Sequence, residues 1–94
     1  MTKADLTEQI SERTGIDKTQ VVYIIETFMK TVKNSLIEGE PVYLRGFGTF
    51  NLCLRKQKKG RNIKQNTSIV IPEHYIPKFK PVKSWMDEVK SKDI

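Results

Sequence analysis

Residues 49–62 read TFNLCLRKQKKGRN, and this stretch changes character halfway along. In its first half Phe50, Leu52 and Leu54 alternate with other residues, and a period of two places them on one face of a β-strand. In its second half the apolar face stops, and the residues RKQKK follow without a turn signal. The stretch therefore predicts a strand that is anchored in a core at one end and exposed to solvent at the other.

A second strand is predicted at residues 68–71, which read SIVI, after a turn region that includes Gly60. The two strands form a hairpin with an apolar base and a basic tip. With about eight to ten residues per strand at about 3.3 Å each, the hairpin is an arm about 30 Å long. Because an isolated two-stranded ribbon is barely stable in water, we expect the phosphates of a bound polyanion to order it.

The positive charge of the chain is concentrated in its middle. The formal net charge is +6, yet residues 1–40 carry −2 and residues 84–94 carry −1. Residues 41–83 hold ten basic residues against Glu73 alone, a net charge of +9. A solvated charged face is the simplest alternative, but this concentration favours a polyanion, either nucleic acid or an anionic membrane.

The first 40 residues predict two helices. Thr2 is the expected N-cap of the first, with Asp5 placed to meet the exposed amides of the first turn. Gly15 is expected just after the end of this helix, because glycine tolerates the left-handed backbone found there. Asp17 is the expected N-cap of the second helix, and Gln20 completes a pattern that resembles a capping box.

The second helix, which ends at Gly39, is apolar on more than one side and must be covered on more than one side. One short partner helix cannot do that, and a 94-residue chain with a projecting arm has only a marginal core. Cys53 is the only cysteine, which excludes a disulfide within the chain, and a lone cysteine with a lone histidine, His74, does not predict a zinc site. We therefore expect a second subunit to cover the helix. Its apolar positions are Val21, Val22, Ile24, Ile25, Phe28, Met29, Val32, Leu36 and Ile37.

Short elements connect the helices to the arm and follow it. Residues 41–45 predict a short strand, and Gly46-Phe47-Gly48 predicts a tight turn. The prolines at positions 72, 77 and 81 are compatible with an edge strand or an irregular ribbon, not with a central strand. Residues 84–89, SWMDEV, predict a short C-terminal helix with Ser84 as its N-cap and Trp85 packed on the body. Stacking of Trp85 on a base is the alternative.

Other function classes fit the sequence less well. Binders of single strands or RNA interleave aromatic and basic residues so that bases can stack, but residues 55–71 contain no aromatic residue. The sequence has no nucleophile with a plausible base, no paired carboxylates in its basic segment and no glycine-rich phosphate loop. It therefore does not predict an enzyme. We expect no cofactor, no metal, no small-molecule substrate and no membrane partner. The first residues lack an apolar signal segment and no apolar run could cross a bilayer, which favours a cytoplasmic location.

Four motifs stand in the second half of the chain: GFGTF at 46–50, GRN at 60–62, IP at 71–72 and IPKFKP at 76–81. Taken together, they resemble the HU/IHF family of bacterial histone-like proteins, and the resemblance runs over about residues 1–90. It implies an α+β fold and a single domain, residues 1–94, that forms an intertwined dimer. Residues 1–40 are expected to be the helical dimerisation part, residues 41–83 a small antiparallel sheet extended into the β-ribbon arm, and residues 84–94 the C-terminal helix and tail.

The resemblance also implies DNA contacts, position by position. Two positions depart from the family: Ile63 stands where the family often has proline, and Cys53 stands where it often has a basic residue. The implied arm contacts are Arg55, Lys58, Lys59, Arg61 and Lys64, the implied arm tip is Asn62 and Ile63, and the implied saddle contacts beneath the duplex are Lys3, Lys80 and Lys83.

The function that the resemblance implies is that of an architectural protein of the nucleoid, which binds double-stranded DNA. Two minor-groove arms would bend and compact the duplex, mostly without base-specific readout. An IHF-like bender with a sequence preference, or one subunit of a heterodimer, is the alternative. The preferred DNA, the bend angle and the insertion of Ile63 between base pairs stay open at this point.

Overall fold

The computed structural model describes residues 1–62 and 67–92 and has the expected α+β architecture. Two helices come first, five strands follow, and a third helix ends the described chain. The described parts extend over 57 × 34 × 30 Å, so the molecule is elongated. The elements are α1 (Lys3–Thr14), α2 (Lys18–Ile37), β1 (Val42–Leu44), β2 (Gly48–Arg55), β3 (Lys58–Asn62), β4 (Thr67–Ile71), β5 (His74–Pro81) and α3 (Lys83–Ser91).

Both N-terminal helices begin at the predicted caps. The backbone N–H and the hydroxyl of Thr2 donate to Oδ2 of Asp5 at 2.8 and 3.0 Å, and these bonds lower the pKa of the Asp5 carboxyl. Gly15 ends α1 with φ of 77°, a left-handed conformation that favours glycine. The Asp17 carboxylate caps α2 by accepting from the Thr19 N–H at 3.2 Å. The expected reciprocal contact of Gln20 is absent from the described hydrogen bonds, so α2 has a simple cap.

A three-stranded antiparallel sheet in the order β1-β2-β5 packs beside α2. The turn from β1 to β2 is closed by the Phe47 N–H, which donates to the Leu44 carbonyl at 2.9 Å. Gly46 adopts φ of 82° in this turn, as the glycine there predicts. The prolines at 77 and 81 lie in β5, which is an edge strand, as expected.

The predicted hairpin consists of two paired regions, β2 with β5 and β3 with β4, that share one register. Arg55 pairs with His74 at the end of the sheet, and Lys58 pairs with Ile71 where β3 and β4 begin to pair. Two residues on each strand, 56–57 and 72–73, separate the two paired regions without shifting the register. Because the counts on the two sides are equal, the ribbon continues from the sheet without a bulge.

Four aromatic rings join the sheet to α3. Phe47 stacks on Trp85 with ring centroids 5.1 Å apart, and Phe79 lies 5.0 Å from Phe47 and 4.7 Å from Phe50. Trp85 therefore packs on the body, as the sequence predicts, although 39% of its surface stays exposed. This cluster fixes α3 against the start of β2.

The predicted cap of α3 is wrong. The helix begins at Lys83, and its N-cap is Val82, which makes no side-chain cap bond; Ser84 lies inside the first turn. The Val82 N–H donates to the Phe47 carbonyl at 3.0 Å, while the Val82 carbonyl accepts from the Met86 N–H at 3.1 Å. The tertiary bond to Phe47 therefore sets where the chain turns into the helix, two residues before the serine that local propensity favours.

Candidate nucleic-acid interface

The sheet has an apolar face that is turned toward α2. Leu52 pairs with Pro77 and Leu54 pairs with Tyr75, so these four side chains lie on the same side of the two strands. An open groove of about 570 Å³ runs between this side of the sheet and α2. It is lined by Phe28, Met29, Val32, Lys33, Leu36, Ile37, Phe50, Leu52, Tyr75 and Pro77.

The groove leaves large apolar side chains uncovered. Phe28 is 44% exposed and Ile37 is 77% exposed. Few apolar residues are buried among the described side chains, and they are Val21, Val32 and Leu36. A contiguous apolar surface of this kind marks an association site, and it lies on the helix that the sequence predicts to meet a second subunit.

The opposite side of the sheet is polar and basic, and we call it the outer face. Thr49 pairs with Lys80, and Asn51 pairs with Lys78. Both lysines are exposed, as are Arg55 and His74 at the far end of the face. The alternation of β2 and β5 thus places apolar residues against α2 and cations on the other side. The outer face consists of Thr49, Asn51, Cys53, Arg55, His74, Ile76, Lys78 and Lys80.

The structure places the predicted saddle lysines in different surroundings. Lys80 lies on the outer face, paired with Thr49. The Lys3 ammonium is 2.8 Å from Oε1 of Glu26, and the Lys83 ammonium is 3.9 Å from Oδ2 of Asp87. Both ion pairs are solvent-exposed, and pairs of this kind are weak.

The predicted arm residues divide between β2 and β3. Arg55 ends β2 on the outer face. Lys58, Lys59, Arg61 and Asn62 lie in β3, where they pair with residues 71, 70, 68 and 67 of β4. Ile63 and Lys64 lie outside the described residues.

Sequence reasoning missed Lys78 as a candidate contact. It lies two residues before Lys80 in the same strand, and both side chains are therefore on the outer face. The period-two rule that was applied to residues 50–54 would have found it if the register of β5 had been known. Cys53, on the same face, is half-buried and is a free thiol.

Among the described residues, no helix combines the length and the apolar character that a membrane span requires.

Comparison with known proteins agrees with this geometry. The family described as "Bacterial DNA-binding protein" matches residues 1–90. The chain is 37% identical over 90 residues to the DNA-binding protein HU of Thermotoga maritima, across 96% of this chain and 100% of that protein. It is 36% identical over 94 residues to the integration host factor subunit beta of Chromobacterium violaceum, across 95% of this chain and 90% of that protein.

The fold of this chain also agrees with that of solved protein structures. An Anabaena HU–DNA cocrystal structure matches with a TM-score of 0.92 and 29% sequence identity, over 98% of this chain and 100% of that chain. HU from Thermotoga maritima matches with a TM-score of 0.65 and 27% identity, over 95% of this chain and 98% of that chain. The chain belongs to the family of bacterial DNA-binding proteins that includes HU and the subunits of integration host factor.

Proposed function

We propose that a dimer of this chain holds double-stranded DNA on its two outer faces and encloses it with its two ribbon arms. The function is architectural: the protein binds and bends the duplex and is not an enzyme. One observation carries the proposal, namely that the register of β2 and β5 turns Arg55, Lys78 and Lys80 to the face opposite the apolar groove. A second subunit can then cover the groove while the cations stay free for phosphate.

The arm contacts are proposed from the positions that match the family, and the place of Arg55 and β3 in the ribbon supports them. Arg55 starts the basic stretch at the edge of the sheet, and β3 continues it with two lysines and an arginine. Lys3, Lys80 and Lys83 are proposed to contact the duplex from below. The proposed arm set is Arg55, Lys58, Lys59, Arg61, Asn62, Ile63 and Lys64.

Phosphate contacts of this kind make binding depend on salt rather than on base sequence. If a dimer neutralises about six to ten phosphates, affinity falls by about 10³–10⁵ between about 50 and 200 mM salt. Selectivity then comes from how easily a duplex bends or unstacks. The division into residues 1–40, 41–83 and 84–94 follows the same logic: a dimer body, a DNA-binding sheet and arm, and a C-terminal helix.

The test is a salt series of binding titrations with Lys59→Ala. In a homodimer the substitution occurs twice, so the slope of log affinity against log salt should flatten by about two. All duplex sequences should weaken alike. Lys90→Ala, which removes an equal charge from the last turn of α3, is the matched control and should leave the slope unchanged. Equal slopes for Lys59→Ala and wild type would contradict the proposed arm contact.

Ile63 is proposed to be a wedge that enters a base step from the minor groove. Isoleucine is among the side chains that unstack bases in this way, and Ile63 stands between polar residues on both sides of the sequence. Ile63→Ala should keep the dimer and most of the affinity but bend DNA less. End-to-end fluorescence energy transfer on a short labelled duplex, at saturating protein, measures the bend. The same transfer efficiency for wild type and Ile63→Ala would contradict the proposed insertion of Ile63.

A bender with a sequence preference is the second candidate. The integration host factor subunits among its relatives support it, since their identity to this chain is close to that of HU. Titration of the purified chain with duplexes of unrelated sequence separates the two: equal affinities support the HU-like function. A location in the bacterial nucleoid, within the cytoplasm, is proposed with either function.

A further inference from the structure

We propose that His74 is a proton-dependent phosphate contact at the root of the arm, so that this protein binds DNA more tightly as the pH falls. The inference rests on the proposed function, because it requires a duplex on the outer face. His74 is the only histidine of the chain. Histidine is also the side chain whose charge ordinarily changes between about pH 5 and 8.

The position of His74 places it in line with the cations of the outer face. It is the first residue of β5 and pairs directly with Arg55, the last residue of β2. Directly opposed residues of an antiparallel pair lie on the same side of the sheet. His74, Lys78 and Lys80 therefore share one face of β5, over about 20 Å of strand at about 3.3 Å per residue. His74 is exposed, so a phosphate that reaches Arg55 also reaches the imidazole.

A hydrogen bond orients the imidazole ring. Nδ1 of His74 lies 2.9 Å from the carbonyl oxygen of Pro72. A carbonyl only accepts, so Nδ1 carries the hydrogen and donates it. This bond is compatible with both the neutral and the charged ring, and the proton that is gained from solvent therefore goes to Nε2.

The state of Nε2 decides whether His74 attracts or opposes a phosphate. The neutral Nε2 has only a lone pair, which faces a phosphate oxygen unfavourably. The protonated Nε2 donates a charge-assisted hydrogen bond to the same oxygen. None of the ion pairs among the described residues involves His74.

Protonation of His74 and DNA binding should favour each other. A phosphate on the outer face favours the charged imidazole, because the protonated Nε2 can donate a hydrogen bond to it. Proton uptake should therefore accompany DNA binding. The charged or titratable groups that neighbour His74 along the two strands are Arg55, Lys56, Cys53, Glu73, Tyr75 and Lys78.

The first test compares wild type with two variants in binding titrations at about pH 8 and about pH 5.5, at constant ionic strength. His74→Gln stays neutral and keeps every other titrating group, so it is the control. The affinity ratio of wild type to His74→Gln should rise as the pH falls, by about tenfold for each pH unit by which DNA moves the histidine titration, once per subunit. His74→Lys, always charged, should bind at pH 8 about as well as wild type does at pH 5.5.

The second test measures the protonation of His74 directly, by nuclear magnetic resonance. A chain with one histidine gives one imidazole Cε1–H resonance in a homodimer, and its titration midpoint should move to higher pH when a saturating duplex is added. Parallel affinity curves for wild type and His74→Gln, or a midpoint that DNA does not move, would overturn the inference while leaving the proposed function intact. If wild type failed to bind duplex at any pH in this range, the proposed function itself would fail.

Discussion

The ammonium nitrogen of Lys3 lies 2.8 Å from Oε1 of Glu26, an ion pair that joins the start of α1 to the middle of α2. The two side chains are 50% and 53% exposed, so the pair contributes at most about 1 kcal/mol to the free energy of unfolding. Lys3 is also a proposed saddle contact. If Lys3 contacts DNA as proposed, the carboxylate of Glu26 competes with a phosphate for its ammonium.

Glu26→Gln should strengthen DNA binding because it releases Lys3. The slope of log affinity against log salt should steepen by about 0.9 for each lysine that gains a phosphate, or about two in a homodimer. Binding titrations across a salt series measure this slope. Glu8→Gln, on α1, changes the net charge equally but breaks no ion pair of the described residues. If both variants shifted the slope alike, Lys3 would not contact DNA.

Gly48→Ala should lower the free energy of unfolding by about 1–3 kcal/mol, because the added Cβ would overpack the site. A Cβ there would lie 2.5 Å from the Lys80 carbonyl oxygen and 2.6 Å from the Phe79 ring. Urea unfolding at one fixed protein concentration measures the loss. Gly39→Ala is the comparison, since its Cβ would meet nothing within 4 Å and only its φ of 81° is unfavourable. An unchanged or higher stability of Gly48→Ala would contradict the packing of Phe79 on β2.

Phe28→Asp should prevent the second subunit from covering the groove, because it introduces a charge into an apolar interface. Wild type should have a thermal midpoint that falls over about a hundredfold dilution, as expected when folding is linked to association. Sedimentation equilibrium should show a dimer for wild type and a monomer for the variant. Thr31→Asp, an exposed position on α2 outside the groove, should remain dimeric. A monomeric wild type would contradict the role of the groove.

Asp5→Asn should lower the thermal midpoint at neutral pH and not in strong acid. Hydrogen bonds from Thr2 hold the pKa of the Asp5 carboxyl below its ordinary value of 3.8. A depressed folded-state pKa stabilises the protein above the unfolded value, and the contribution is lost as the pH falls through the folded value. The midpoint difference between wild type and Asp5→Asn should therefore disappear in that acid range. Glu12→Gln, on the same helix beyond its first turn, should show no such pH-dependent difference.

Local features of the fold could be predicted from the sequence because each depends on residues a few positions apart. Thr2 and Asp5 are three residues apart and form the predicted cap, and Gly15 adopts the left-handed backbone expected after a helix. The alternation of Phe50, Leu52 and Leu54 predicted which face of β2 meets the core. Ser84 shows the limit of such signals: a backbone bond between Val82 and Phe47, 35 positions apart, sets the start of α3 instead.

The sequence by itself determined the helices, the alternating strand, the basic arm and, through its motifs, the family. Only the tertiary structure decided that Lys78 and His74 join Arg55 on one face, and that Lys3 is paired with Glu26. The physical reason is the distance along the chain. Caps and alternation arise from neighbouring residues, whereas cross-strand register and ion pairs between helices exist only after turns and loops have brought distant residues together.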